Sequence, residues 1–264
     1  MINKIKKFLK ILNFLIFKKD NFFRSYFLNN EYFDKITSIN KNNDFDKAHL
    51  LEHIDDFDKS LLQFYNVGPF NGQEIRTKLI ENIINDYKPA YIVETGTFLG
   101  ATTEFFSKFK TKIFTIESTQ LFFIIAGTRL QKYKNIQLIK GDSSNIQRLL
   151  NLDNKKSFFY LDAHWTDNLP LNYELDYANT FEEIIVCIDD FKVIENENWE
   201  YDSYQGKSLS IENFPELNKF NIFFPNYPIE NETGGKRGCV FLCRGKESYE
   251  LLKNLKILKQ YSEI

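Results

Sequence analysis

The chain has 264 residues, 43% of them hydrophobic, which is enough for one large domain with a substantial core. Lys and Arg number 34 against 36 Asp and Glu, and these charges are scattered along most of the chain, so a nucleic acid is excluded as the main partner. The three cysteines are an odd number and do not make a disulfide framework. We expect buried thiols in a reducing, cytoplasmic compartment.

The first nineteen residues are the one segment where charge segregates, because six lysines precede the first acid, Asp20. Apolar residues recur there at helical spacing, which predicts an amphipathic basic helix. Lys10 and Asn13 interrupt the apolar run, so a signal peptide is disfavoured, and the segment is too short to span a bilayer. Peripheral contact with an anionic membrane surface and docking on a protein surface both remain open for residues 1–19. Residues 1–72 are predicted to form a helical N-terminal extension.

From residue 90 onward, short apolar runs alternate with amphipathic stretches. The runs that read as buried strands are 90–94, 112–116, 136–139, 157–161 and 183–188. Helices are predicted near 102–109, 119–132, 144–151 and 171–180. This alternation predicts an α/β domain over residues 73–264, a doubly wound parallel sheet with helices on both faces. Two more strands are predicted at 220–224 and 238–243, followed by a closing helix at 246–261.

The turn after the first strand reads Glu94-Thr-Gly-Thr-Phe-Leu-Gly100. Gly96 and Gly100 remove Cβ atoms, so the backbone of this turn can approach a ligand at the edge where α/β sheets bind them. A dinucleotide site would need a middle glycine that is missing here, and no Gly-Lys-Ser/Thr of a phosphate-binding loop follows. The turn therefore predicts a nucleotide-type cofactor without a pyrophosphate.

An acid follows each of the next three strands: Glu117, Asp142 before Ser143, and Asp162. Glu117 is placed to accept hydrogen bonds from two ribose hydroxyls. Together with the glycine turn, this series resembles the class I S-adenosylmethionine-dependent methyltransferases, over about residues 73–244. The resemblance implies S-adenosylmethionine as cofactor and a seven-stranded sheet with an antiparallel final strand. It also implies a set of cofactor-binding residues: Glu94, Gly96, Thr97, Gly100, Glu117, Asp142, Ser143 and Asp162.

Acids and a histidine follow the fourth and fifth strands, and two hypotheses address them. In the first, Asp162, Asp189 and Asp190 bind a hard divalent cation such as Mg²⁺, which lowers the pKa of a substrate hydroxyl. This set resembles that of metal-dependent O-methyltransferases, including those acting on macrolide sugars. Those relatives carry an acid where this chain has His164. A histidine ligand would make the site prefer softer metal ions than Mg²⁺. In the second hypothesis no metal binds, and His164 acts as the general base beside Asp162.

The predicted function is methyl transfer from S-adenosylmethionine to a hydroxyl of a small molecule or sugar. The alternative is a non-catalytic scaffold that keeps the fold, held at a membrane by its basic N-terminus. Residues 199–207, rich in Tyr and Trp, are interpreted either as a lid over a polar ring or as a stabilised surface loop. Residues 233–237 are interpreted as a solvated hairpin or as an anion site using Lys236 and Arg237. The sequence does not predict the oligomeric state.

Overall fold

The computed structural model describes residues 68–164, 169–194, 198–204 and 206–262, and the structural statements below refer to these residues. The basic segment at residues 1–19 and most of the predicted N-terminal extension lie outside them. Both therefore stay predictions. None of the helices within the described ranges is long and apolar enough to cross a membrane.

The centre of the described chain is an eight-stranded sheet. Its strands are β1 (Tyr91–Thr95), β2 (Lys112–Glu117), β3 (Ile136–Lys140), β4 (Ser157–Leu161), β5 (Ile184–Asp189), β8 (Asn221–Pro225), β9 (Cys239–Arg244) and β10 (Leu258–Gln260). They lie in the order β10-β8-β9-β5-β4-β1-β2-β3. Strands β1 to β5 are parallel, whereas β9, β8 and β10 pair antiparallel with their neighbours. A separate two-stranded pair consists of β6 (Ser203–Tyr204) and β7 (Lys207–Ser208).

Helices cover both faces of the sheet. They are α1 (Glu74–Tyr87), α2 (Ala101–Phe106), α3 (Gln120–Leu130), α4 (Ile146–Leu149), α5 (Leu171–Ala178) and α6 (Lys246–Asn254). Successive side chains of a strand point to opposite faces. Phe158 and Tyr160 of β4 accordingly pack with apolar residues of α1, α2 and α6, while Phe159 and Leu161 pack with residues of α4 and α5. The doubly wound, mostly parallel fold predicted from the sequence is confirmed.

Strands β4 and β5 are buried at every position, as their unbroken apolar sequences predict. The three cysteines are free and buried, Cys187 in β5 and Cys239 and Cys243 in β9. This confirms that they are core thiols.

The end of the chain differs from the prediction. A single closing helix was expected from Lys246 to Tyr261, but α6 ends at Asn254 and the chain returns as β10. The helix prediction is therefore wrong beyond residue 254, and the sheet has eight strands instead of seven. Leu255 and Leu258 fit a helical spacing, but pairing with the free edge of β8 overrides that local pattern.

A short helical turn, Pro69–Gly72, precedes α1 and has an unusual backbone. Phe70 and Asn71 have φ values of 55° and 58°, a left-handed conformation that non-glycine residues rarely adopt. The Phe70 ring packs in the core against Tyr160, 5.1 Å between ring centroids. The Asn71 carbonyl accepts a hydrogen bond from Gly235 N at 2.8 Å. Tertiary contacts thus hold this turn against the carboxyl edge of the sheet.

Candidate active site at the carboxyl edge of the sheet

The predicted site residues all lie at or just after the carboxyl ends of β1 to β5. In the sheet order, β1 and β4 are neighbours whose connections leave in opposite directions, and this is the switch point where open α/β sheets bind ligands. The glycine turn follows β1, and Asp162 follows β4. These two segments therefore meet at the expected crevice.

The glycine turn is fitted closely to the end of β4. Gly96 has a φ of 79°, and a Cβ atom there would overlap the backbone carbonyl of Asp162. Gly100 has a φ of 77° and begins α2. Phe98 between them also has a positive φ, 49°, and packs edge-on against Phe122 at 4.6 Å. Only a residue without a side chain fits at Gly96, so this glycine sets the distance between the turn and Asp162.

Glu94 is a buried acid that fastens this turn to its surroundings. One of its carboxylate oxygens accepts hydrogen bonds from the hydroxyls of Thr103 and Thr115. The Thr115 hydroxyl also lies 2.6 Å from that of Thr97. Burial raises the pKa of Glu94 to about 7, although the two threonine hydrogen bonds oppose the shift. Glu94 and Thr97 thus connect β1, β2 and α2 behind the glycine turn.

Glu117 lies at the end of β2 and reaches toward the same turn. Its carboxylate accepts hydrogen bonds from Phe98 N at 2.9 Å and from Thr119 N at 2.6 Å, one on each oxygen. Burial raises its pKa, while these backbone hydrogen bonds oppose the shift. Each oxygen keeps a second lone pair. Glu117 is therefore oriented by the turn and keeps lone pairs that can accept further hydrogen bonds.

Two acids lie near the end of β3: Asp142, which the sequence analysis assigned to the site, and Glu174, a buried carboxyl that it missed. Asp142 accepts a hydrogen bond from Ser144 N at 2.9 Å and so caps the turn that contains Ser143. Glu174 of α5 is fully buried beside Ser143 and Thr95, and burial raises its pKa to about 7. Within the described residues, neither Glu174 oxygen nor the Ser143 hydroxyl has a hydrogen-bond partner of normal geometry. The sequence signal was an acid on the apolar side of a helix, between Leu171 and Leu175.

Three side chains converge at the ends of β4 and β5. Oxygens of Asp162 and Asp190 and a ring nitrogen of His164 all lie within 4.8 Å of one another. His164 Nε2 lies 3.7 Å from Asp162 Oδ1 and 3.9 Å from Asp190 Oδ2. Desolvation and repulsion from Asp189 raise the pKa of Asp190 to about 7, although Arg237 opposes the shift. The same two causes raise the pKa of Asp162, even though its side chain is 34% exposed.

His164 is the buried member of this cluster. Its side chain is 1% exposed, and burial lowers its pKa to about 4, so the imidazole is neutral at pH 7. Among the described residues neither ring nitrogen has a hydrogen-bond partner. The ring of Tyr204 lies beside it, with centroids 5.5 Å apart. A neutral, unpartnered imidazole has a nitrogen lone pair that is free to bind a metal ion.

Asp189 lies outside this group. One of its oxygens forms a fully buried ion pair with Arg76 of α1, and the other accepts hydrogen bonds from Tyr160 at 2.6 Å and Asn71 at 3.0 Å. The metal set predicted from the sequence places Asp189 beside Asp162 and Asp190. The structure instead engages both Asp189 oxygens with protein donors. Arg76 could have been noticed because it continues the apolar stripe of α1 that includes Leu79 and Ile83.

Arg237, like Arg76, forms ion pairs with acids of the site that the sequence analysis did not predict. Its guanidinium forms ion pairs with Asp190 Oδ1 and Asp202 Oδ1, each at 2.5 Å, and lies 3.6 Å from Glu200. The side chain is 8% exposed. A guanidinium already surrounded by three carboxylates is a poor receptor for an anionic substrate. Arg237 is therefore not available to bind an anion, as the interpretation of residues 233–237 as an anion site would require.

The aromatic segment after β5 divides into core and surface parts. Trp199 is buried, and its ring packs against Tyr227 at 5.3 Å, so it stabilises the loop. Tyr204 lies over His164 and donates a hydrogen bond to Asp202 at 2.8 Å. Tyr201 is 38% exposed. Two described residues of this segment therefore contact the cluster: Tyr204 through the ring of His164, and Asp202, whose N donates a hydrogen bond to Asp190 O at 3.0 Å.

A scan against protein-family models and a search of curated proteins found no match. Solved structures do match. An O-methyltransferase from Bacillus cereus in complex with SAH is 15% identical, with a TM-score of 0.51 over 79% of this chain and 96% of that one. The cofactor-bound protein Rv0187 from MTB is 12% identical, with a TM-score of 0.52 over 81% and 97% of the two chains. The chain thus has the Rossmann-like fold of the class I S-adenosylmethionine-dependent O-methyltransferases.

Proposed function

We propose that the protein transfers a methyl group from S-adenosylmethionine to a hydroxyl oxygen of a small molecule or sugar. The observation that carries this proposal is the fit between Gly96 and Asp162. Because of this fit, the glycine turn lies directly beside a cluster of two carboxylates and a neutral imidazole. A cofactor held by the turn and an acceptor held by the cluster would thus be neighbours, as transfer in one step requires.

The residues around the glycine turn fit this cofactor. Gly96 and Gly100 leave the backbone open to the methionine portion, and Glu117 keeps lone pairs for two ribose hydroxyls. Asp142 and Ser143 lie at the end of β3, where they would meet the adenine. Glu94 and Thr97 support the turn from behind. The cofactor supplies an electrophilic methyl group on a positively charged sulfur.

The cluster next to the turn provides what the acceptor needs. A hydroxyl oxygen becomes a good nucleophile only when its proton is removed or its pKa is lowered. Asp162, whose backbone lies against Gly96, and His164 beside it are the groups of the cluster that can influence this proton. The surrounding charge is acidic, because Arg237 and Arg76 are already paired with carboxylates. These charges favour a neutral acceptor such as a sugar over an anionic one.

Isothermal titration with S-adenosylhomocysteine tests the cofactor assignment. Glu117→Ala should weaken binding by at least about 100-fold, because each of the two charge-assisted hydrogen bonds to the ribose contributes about 1.5–3 kcal/mol. Glu250→Ala, at an exposed acid of α6, is the matched control and should bind like the unchanged protein. No binding to the folded protein would refute the assignment. Binding without methylation of any hydroxyl compound in a sugar and phenol panel would instead support the non-catalytic scaffold.

A further inference from the structure

The three side chains at the ends of β4 and β5 have the composition and spacing of a metal site. In six-coordinate sites with bonds near 2.1 Å, neighbouring ligand atoms are about 3 Å apart. His164 Nε2 is 3.7 Å from Asp162 Oδ1 and 3.9 Å from Asp190 Oδ2, so small side-chain rotations suffice to bring the three atoms around one ion.

The environment of His164 is evidence for a bound ion that a group of acids alone would not provide. Its ring is buried, and in the described part of the chain neither nitrogen has a hydrogen-bond partner. Buried polar groups in folded proteins are nearly always partnered, so an unpartnered imidazole facing two carboxylates indicates a missing ligand. A cation suits this position because it is attracted by both acids and accepts a nitrogen donor.

The neighbouring arginines determine which oxygens are free for the ion. Arg237 bonds Asp190 Oδ1 and leaves Oδ2 on the side of His164. Arg76, Tyr160 and Asn71 engage both oxygens of Asp189. The available set is therefore two carboxylates and one imidazole, whereas the family resemblance implies three carboxylates.

We propose that Asp162, His164 and Asp190 bind a first-row transition dication such as Mn²⁺ in preference to Mg²⁺. The nitrogen ligand is the reason, since Mg²⁺ prefers oxygen ligands, whereas first-row transition dications also accept an imidazole nitrogen. The role of the ion in lowering the pKa of an acceptor hydroxyl rests on the proposed methyl transfer. The binding of the ion to these three residues does not. Three protein ligands leave positions for acceptor or water oxygens.

Binding is measured by electron paramagnetic resonance, following the loss of the free Mn²⁺ signal on titration into the full chain without cofactor. We expect one equivalent of Mn²⁺, displaced by Mg²⁺ only at concentrations at least about tenfold higher than the Mn²⁺. His164→Ala should weaken Mn²⁺ binding at least about tenfold, as should Asp190→Asn. His164→Asp creates an all-oxygen set and should narrow the preference for Mn²⁺ over Mg²⁺.

Asp202→Asn is the matched control, because Asp202 also bonds Arg237 but lies outside the three ligands. It should retain Mn²⁺ binding. Thermal melting without metal verifies that each variant is folded. No Mn²⁺ binding to the folded protein, binding unchanged in His164→Ala, or equal affinity for both ions would overturn the proposal. Mn²⁺ binding in a protein that does not bind S-adenosylhomocysteine would refute the proposed function and leave this inference standing.

Discussion

The buried carboxyl of Glu174 should make the stability of the protein depend on pH in a way that one substitution removes. Burial raises its pKa from 4.5 to about 7. A group whose pKa is raised in the folded state stabilises fully below its unfolded pKa, and this stability is lost as pH rises through the folded pKa. The loss between pH 5 and pH 8 is about 2–3 kcal/mol, at 1.36 kcal/mol per pKa unit.

Glu174→Gln has a neutral side chain of the same shape and cannot ionise. We expect the variant to have about the same free energy of unfolding as the unchanged protein at pH 5 and to be about 2–3 kcal/mol more stable at pH 8. Urea denaturation at both pH values measures this. Glu94, whose pKa is also raised to about 7, contributes equally to both proteins and cancels in the comparison. Glu250→Gln, at an exposed acid, is the control. An identical pH dependence of Glu174→Gln and the unchanged protein would refute the reasoning.

Two further predictions compare a site residue with a matched position elsewhere. Gly96→Ala should lower the free energy of unfolding, measured by urea denaturation, by more than about 2 kcal/mol and should impair S-adenosylhomocysteine binding. Gly206 has the same φ of 79°, but a Cβ atom there would have no neighbour within 4 Å. Gly206→Ala should therefore lower the free energy of unfolding by only about 1–2 kcal/mol. Comparable losses for the two glycines would contradict the close contact at Asp162. Arg76→Met should cost about 3–5 kcal/mol because it leaves Asp189 buried and unpaired, while Lys219→Met, in an exposed pair with Asp176, should cost less than about 1 kcal/mol. A small effect at Arg76 would show that the buried pair is dispensable.

The sheet could be predicted because its signals are local. Strands β4 and β5 are unbroken apolar runs, and such runs separated by amphipathic stretches fit few structures other than a parallel sheet. The glycine turn was equally readable, since the positive φ values at Gly96 and Gly100 favour glycine, which has no Cβ atom. In a parallel sheet all strand ends meet at one edge, so the sequence order alone placed Glu117 and Asp162 near that turn.

The unpredicted features depend on contacts between distant parts of the chain. The end of α6 is decided by pairing of β10 with β8, some thirty residues earlier, and no local signal specifies it. Trp199 resembles a lid residue by composition, but it packs against Tyr227 in the core. The pairing of Arg76 with Asp189 spans 113 positions, and sequence periodicity reports only which face a residue occupies, not its partner.

The adjacent acids Asp189 and Asp190 point in different directions because one ends strand β5 and the other lies in the turn after it. Consecutive side chains of a strand point to opposite faces. Asp189 continues the face of Ile185 and Cys187, which is the face covered by α1, so it meets Arg76. Asp190 lies one residue further, in a turn with a φ of 54°, and points instead toward His164 and Arg237. The two acids therefore have different partners: Asp189 pairs with Arg76 on the face covered by α1, whereas Asp190 lies beside His164 and Asp162.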